Sequence, residues 1–393
     1  MTAVEFYDRT PIENIISTLT TTPDKIIFIG DGKSMGKFDE THQEFLQARG
    51  LHIELVYRKI NRNNLSQIVE VLSEIVESEE QCVFDLTGGE DLVLVAMGMV
   101  AQKYAKKNIQ MQRFNVRNGV VTDCDSDGTV FYTGYPEITV EEQIQIHGGM
   151  VRYEGEGEAK TYRWDLSEDF VNDVETMWSI CRTNPGLWNA RINALNMSEG
   201  SAGAKDVSVK GLLRTLEREG LICQYRDLGE SVTFEYKNEQ VKKCLSKAGQ
   251  VLELKVLISA LKAQHKDGQP YYTDAMSGVY IDWDGRLHAF SDQEKDTANE
   301  IDVILMKGLV PIFISCKNGQ VDDDELYKLD AVTSRFGGIY AKKVLVATYL
   351  GKKPTSMEYF RQRAKDMKIH LVEEVHQLSD EQFDRMIKHL VNS

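Results

Sequence analysis

The chain has no Cys-x-x-Cys pair: its six cysteines, Cys82, Cys124, Cys181, Cys223, Cys244 and Cys316, are scattered over 393 residues. That pattern gives no disulfide framework and leads us to expect reduced thiols and a cytoplasmic setting. There is no apolar run long enough to span a bilayer and no N-terminal signal pattern, so no membrane association is expected. Basic residues are in deficit, 46 Lys and Arg against 61 Asp and Glu, for a formal net charge of −15. An acidic average counts against a general nucleic-acid coat, because phosphate binding draws on counterion release from basic surfaces. What remains is the composition of an ordinary globular protein, long enough for two or three domains with cores of their own.

Against this background one constellation carries chemistry. Two apolar runs, Ile301–Met306 and Leu309–Ile314, are separated by Lys307-Gly308 and read as a hairpin. Asp302 lies on the first run, and Ser315-Cys316-Lys317 closes the second. An acid able to hold a divalent metal beside a lysine able to orient water is the minimal apparatus for phosphodiester hydrolysis. Glu300 shares a strand face with Asp302, because residues two apart point to the same side. Upstream, Glu253 opens an apolar helical pattern that runs to Leu261.

In this order the residues resemble the PD-(D/E)xK nucleases, which place a glutamate on a helix, an aspartate on one strand and (D/E)-x-Lys on the next. The resemblance implies that Glu253 and Asp302, with the Cys316 carbonyl, hold Mn²⁺ or Mg²⁺, and that Lys317 positions the attacking water. The departure is Ser315, which stands where the family usually has a carboxylate. The catalytic set so implied is Glu253, Asp302, Ser315 and Lys317, with Glu300 either a further acid or a sheet-face residue.

The first 108 residues alternate strand and helix patterns: β-rich runs at Lys25–Ile29, His52–Tyr57 and Cys82–Leu86, helical ones between them. Such spacing implies βαβ units and a doubly wound parallel sheet, whose ligands bind beyond the carboxyl ends of the strands. Two of those ends are glycine-rich: Gly30-Asp31-Gly32-Lys33-Ser34-Met35, and Thr87-Gly88-Gly89-Glu90 after Asp85-Leu86. Glycines there let backbone N–H groups come close to phosphates. NAD does not suit, since the second run ends in Tyr57-Arg58-Lys59 rather than in an acid, and NADP survives only weakly. Nor is Gly32-Lys33-Ser34 a P-loop, because Ile27 stands where the first glycine is required. A ligand with several phosphates spread over the sheet edge fits better.

A Rossmann-like sheet with a polar first loop and a Thr-Gly-Gly loop resembles a CARF domain, the CRISPR-associated sensor of cyclic oligoadenylates. Glu90 and Asp91 depart from the Thr or Ser and basic residue more usual after the glycines. Joined to the nuclease motif, the sensor pattern resembles the single-CARF ancillary nucleases of type III CRISPR antiviral defence that cyclic tetra-adenylate activates. The resemblance implies a homodimer whose paired loops, residues 30–35 and 87–90, share one ring-shaped activator.

Other segments are plainer. Asp123-Cys124-Asp125-Ser126-Asp127-Gly128 opens like a calcium loop, but Gly134 replaces its twelfth-position glutamate. Strand patterns flank it, so it reads as a hairpin turn. Helical patterns at 168–181, 187–196 and 207–220, then two short strand-like runs, suggest a winged helix. Lys210, Arg214 and Arg218 lie along one side of its third helix, where DNA contact and a spacer role are both open. Between Lys342 and Lys368 eight cations face only Glu358 and Asp366, either a solvated helix face or a backbone-tracking surface. The expected architecture is therefore α/β throughout: a Rossmann-like CARF sensor over 1–150, a winged-helix-like connector over 151–245 and a PD-(D/E)xK restriction-endonuclease-like domain over 246–393. The expected activity is metal-dependent cleavage of DNA or single-stranded RNA. The alternative is a non-catalytic, nucleotide-sensing DNA-binding regulator.

Overall fold

The computed structural model describes every residue except 33–34, 36–38, 108, 117, 126–127, 156–160, 198–206, 230, 287, 289–297, 352–353 and 393. The chain forms two compact units. One comprises Met1–Met150 with parts of Trp283–Asp296 and Arg335–Tyr340; the other comprises Val151–Asp282, Thr297–Ser334 and Ala341–Ser393. No helix among the described residues is long and apolar enough to cross a membrane.

In the first unit, β1 (Thr2–Phe6), α1 (Glu13–Thr21), β2 (Lys25–Gly30), α2 (Asp39–Ala48), β3 (Glu54–Lys59), α3 (Leu65–Ser78), β4 (Cys82–Asp85), α4 (Asp91–Lys103) and β5 (Gln110–Asn115) alternate. An antiparallel pair follows, β6 (Val120–Asp123) and β7 (Val130–Thr133), and then α5 (Val140–Ile146). The sheet runs β3-β2-β1-β4-β5-β6-β7, its first five strands parallel. The three predicted strands are β2, β3 and β4. The central strand, β1, carries no strong sequence signal yet is buried along its whole length.

Ile68 and Leu72 of α3, with Val93 and Met97 of α4, pack on Ile27, Ile29 and Phe84 of the sheet. Asn64 caps α3 by accepting the Gln67 N–H, and Thr139 with Glu142 forms a capping box on α5. Growth of the sheet reverses between β1 and β4, so the loops after β1, β2 and β4 meet at one rim, where such sheets bind ligands.

The second unit begins with β8 (Met150–Val151) and three helices, α6 (Glu168–Thr183), α7 (Pro185–Met197) and α8 (Val207–Arg218). The hairpin of β9 (Ile222–Asp227) and β10 (Val232–Tyr236) follows, completing a winged-helix order. Its third helix, α8, has its cations engaged: Lys210 reaches Asp227 at 2.6 Å, Arg214 reaches the same carboxylate at 3.4 Å, and Arg218 pairs with Glu219 at 3.0 Å. That arrangement supports the spacer role over DNA contact.

After α9 (Glu239–Cys244), α10 (Gln250–Lys262) is buried from Gln250 to Ala260. It lies against a sheet of β11 (Asp274–Asp282), β12 (Ala298–Lys307), β13 (Val310–Lys317), β14 (Lys342–Ala347) and β15 (Ile369–Val372), in the order β15-β14-β13-β12-β11-β8. Strands β11, β12 and β13 pair antiparallel, while β14 and β15 join in parallel through α11 (Asp324–Phe336) and α12 (Pro354–Asp366). The last helix, α13 (Asp380–His389), contributes Phe383 and Ile387 to a continuous core with Trp178, Leu213, Phe234, Leu254 and Ile314. Three cations of the basic stretch from Lys342 are paired with acids. Lys343 meets Asp330, Arg361 makes a two-pronged pair with Glu373 at 2.6 and 2.7 Å, and Arg363 meets Asp323.

Candidate active site and ligand loops

The predicted hairpin is real, with Gly308 at φ +58° supplying the left-handed turn residue. Its register sets Val303 against Ile314, which puts Asp302 beside Ser315. One carboxylate oxygen of Asp302, Oδ2, gathers three donors: the Cys316 N–H at 2.6 Å, the Ser315 hydroxyl at 3.1 Å and Lys317 Nζ at 3.4 Å. The Ser315 hydroxyl is thus a hydrogen-bond donor to Asp302.

Glu253 sits in the first turn of α10, only 6% exposed, and accepts a hydrogen bond from Gln250 Nε2 at 2.9 Å. Burial pushes its carboxyl well above the usual range, and the negative charges of Asp302 and Glu300 push it further. Burial likewise raises Asp302, although Lys317 and the Cys316 N–H pull the other way. Burial alone would lower the Lys317 amine, but the carboxylates of Asp302 and Glu325 outweigh it and hold the amine above an ordinary lysine. In this arrangement the amine is a positive charge and a hydrogen-bond donor set between two carboxylates. Glu300 pairs with Lys247 at 2.8 Å while repelling Glu253.

One acid in this site carries no sequence motif. Glu325, in the first turn of α11, binds Lys317 Nζ at 2.9 Å, closer than Asp302 does, and is itself held by Lys328 at 3.1 Å. Burial would raise its carboxyl, but Lys317 and Lys328 bring it below the usual range, so it stays ionised. The only local signal is the acidic run Asp322-Asp323-Asp324-Glu325 shortly after Lys317. Among the described residues no group of three or more His, Cys, Asp or Glu side chains is arranged to hold a metal ion. Two neighbouring carboxyls and a backbone carbonyl, Glu253, Asp302 and Cys316, are the available oxygen donors.

In the first unit, Thr87, Gly88 and Gly89 line a cavity of about 480 Å³ with Asp8, Glu13 and Arg113. The loop is tightly built. Asp85 Oδ1 accepts the Thr87 N–H at 2.7 Å, and Thr87 Oγ1 accepts the Phe114 N–H at 3.0 Å. Gly89 has φ +116°, and a Cβ there would stand 3.2 Å from Leu94. A Cβ on Gly88 would press at 3.3 Å on the carboxylates of both Asp8 and Glu13.

Arg62, absent from the sequence prediction, joins the two loops by reaching Asp31 at 3.4 Å and Glu90 at 2.8 Å. Lys59 runs alongside Gly32, and Met35 packs against Gly30. Lys33 and Ser34 lie outside the described residues. Burial, then the charge of Asp8, raises the Glu13 carboxyl to about 7.

Residues 273–389 match the family model described as "Card1-like, endonuclease domain". That span holds Asp302, Glu300, Ser315, Lys317 and Glu325, while Glu253 precedes it. Over its whole length the fold is similar to that of protein VC1899 from Vibrio cholerae, with TM-score 0.75, 18% identity, and coverage of 100% of this chain and 97% of that one. It is also similar to Can2 from Sulfobacillus thermosulfidooxidans, solved in complex with cyclic tetra-adenylate, with TM-score 0.67, 17% identity, and coverage of 98% and 97%. No curated protein matches the sequence.

Proposed function

We propose that this chain, whose residues 273–389 form a Card1-like endonuclease domain, is a metal-dependent nuclease of type III CRISPR defence. Cyclic tetra-adenylate, the ligand in the Can2 structure, switches it on at the 87–90 loop and its neighbours. The reading rests above all on the β12–β13 hairpin, which sets Asp302, Ser315 and Lys317 together inside the span that matches the endonuclease family. Activation then shifts a population: the activator binds the competent form more tightly, in a homodimer whose two sensor units share one ring.

The donor set suits a hard divalent cation. Glu253 is a buried carboxyl and Asp302 a partly buried one, both held above their usual range by desolvation, and Asp302 adds to the repulsion on Glu253. Both would be ionised by a cation such as Mn²⁺ or Mg²⁺ held by them and the Cys316 carbonyl. Bound there, the ion supplies Lewis-acid stabilisation of charge on the phosphate. Lys317 donates to the attacking water and to the phosphoryl oxygens as negative charge builds. Ser315 and the Cys316 N–H keep Asp302 from rotating away. The regulator alternative loses support from the internally paired cations of α8.

Supercoiled plasmid and single-stranded RNA, incubated with Mn²⁺ with and without cyclic tetra-adenylate, test this reading. Activator-dependent cleavage of either is expected; no cleavage of both under all conditions sinks it.

Glu325 acts in this scheme as a positioning residue, aiming the Lys317 amine. Glu325→Ala is expected to lower kcat about 10- to 100-fold with KM little changed, the usual cost of losing a group that orients a catalytic one. Glu325→Gln, which still accepts a hydrogen bond, should recover part of that loss. Equal kcat in Glu325→Ala and wild type would remove Glu325 from the machinery.

The sensor loop carries a pH signature. Glu13 binds its proton more tightly in the fold, at about 7, than in an unfolded chain near 4.5. Its contribution to stability is complete below 4.5 and is lost as pH rises through 7. A polyanionic activator favours the protonated form, so its affinity should fall between pH 6 and 8, by at most about tenfold per unit for one linked proton. Titration by fluorescence at constant ionic strength reads this directly, and Glu13→Gln should flatten the slope. An unchanged slope in Glu13→Gln would assign the effect elsewhere.

A further inference from the structure

Beside the catalytic acids, within the second unit, lies a cavity of about 150 Å³ lined by Tyr162, Trp164, Lys243, Lys247, Ser277 and Glu300, among others. Two aromatic rings dominate it. Tyr162 stands edge-on to Trp164 at 4.7 Å, and the indole is backed by Phe170 in a parallel stack at 5.5 Å and 5°. The Phe170 ring, buried in the core, holds the indole plane rigid from behind.

Two amines edge the same cavity. Lys243 lies 4.4 Å from the Tyr162 ring centroid and is tethered by Glu154, while Lys247 is tethered by Glu300. Ser277 is 4% exposed, and its hydroxyl has no hydrogen-bond partner among the described residues. A buried, unsatisfied hydroxyl in the wall of a cavity costs stability unless something fills the cavity and bonds to it.

The cavity is coupled to the proposed chemistry through two residues. Glu300 lines it and repels Glu253. Gln250 lines it and hydrogen-bonds Glu253 at 2.9 Å. An occupant of the cavity therefore touches two residues that act directly on Glu253.

We infer that this cavity takes one unstacked nucleobase of the substrate strand, flanking the scissile phosphate. This rests on the nuclease reading above and adds to it a base-binding subsite. The aromatic pair offers a stacking surface that tolerates any base, as in single-strand binding proteins. The Ser277 hydroxyl suits the hydrogen-bonding edge of the base, which in a duplex is engaged by the opposite strand. A paired base reaches such a site only by leaving its stack.

An abasic scan tests the inference on the full-length protein with cyclic tetra-adenylate and Mn²⁺. A single-stranded oligonucleotide with a mapped cleavage site is remade with one abasic residue at each position around it, and also annealed as a duplex. Wild type should cut one abasic variant about 5- to 150-fold more slowly than the intact strand, the range seen on losing one base–aromatic stack. The duplex should be cut more slowly as well.

In Trp164→Ala the abasic penalty should disappear, and in Trp164→Phe it should persist. Should Trp164→Ala fail to fold, the wild-type scan and Ser277→Ala decide, the latter weakening the penalty. Cleavage that is uniform across the abasic series, a penalty undiminished in Trp164→Ala, or a duplex cut as fast as the single strand would overturn the inference while leaving the nuclease reading intact. No cleavage of the intact strand would bring down the nuclease reading, and this inference with it.

Discussion

Asp302→Ala and Lys317→Ala are each expected to lower activator-stimulated cleavage by about 10²–10³-fold or more, the usual cost of deleting one preorganised charge from a transition-state site. The two substitutions act through different physics. Removing Asp302 takes away the carboxylate on which Ser315, the Cys316 N–H and Lys317 converge, so the hairpin loses its organising acceptor. Removing Lys317 leaves Asp302 and Glu325, two partly buried acids, without the cation between them. The Lys317 side chain is 27% exposed, so water screens its charge only in part. Activator affinity should be unchanged in both variants, because neither side chain belongs to the sensor unit. Retained cleavage in purified Asp302→Ala protein would remove the assignment.

Gly89→Ala is expected to raise the activator concentration for half-maximal cleavage by about 5- to 150-fold, with the rate at saturating activator close to wild type. The backbone at φ +116° lies where a side chain is strained by about 1–3 kcal/mol. The added Cβ also meets Leu94 Cδ2 at 3.2 Å, so the loop relieves the strain by rotating the peptides that face the cavity. A titration of cleavage against cyclic tetra-adenylate measures the shift. An unshifted titration curve would place the activator somewhere other than the Thr87–Glu90 loop.

Much of the catalytic half was legible because its signals are local. The hairpin announces itself by two apolar runs around Lys307-Gly308, and Glu253 by its place at the start of an apolar helix. The sensor sheet was legible from strands of continuous apolar character, Lys25–Ile29 above all. Its centre was not. Strand β1 is five residues long and carries Glu5, a charge that argues against a buried strand.

The structure resolves the conflict by keeping that carboxyl well above its usual range through burial and the charge of Asp85, with Ser17 donating to it at 2.9 Å. Glu325 and Arg62 were invisible for a different reason. Each reaches its partners across a turn of tertiary structure, Glu325 from α11 to the end of β13 and Arg62 from beyond β3 to two separate loops, and no spacing rule encodes such a meeting. The cations of α8 and α12 show the converse: a basic stretch read along the chain says little until the acids that neutralise it are placed.

The account turns on a cation held between Glu253 and Asp302 with Lys317 alongside. Anomalous diffraction from crystals grown with Mn²⁺ tests it most directly. The expected result is a single peak within roughly 2.0–2.4 Å of an oxygen from each of those two carboxylates and of the Cys316 carbonyl. A peak elsewhere in the chain, or none at saturating Mn²⁺ in protein that cleaves, would contradict it.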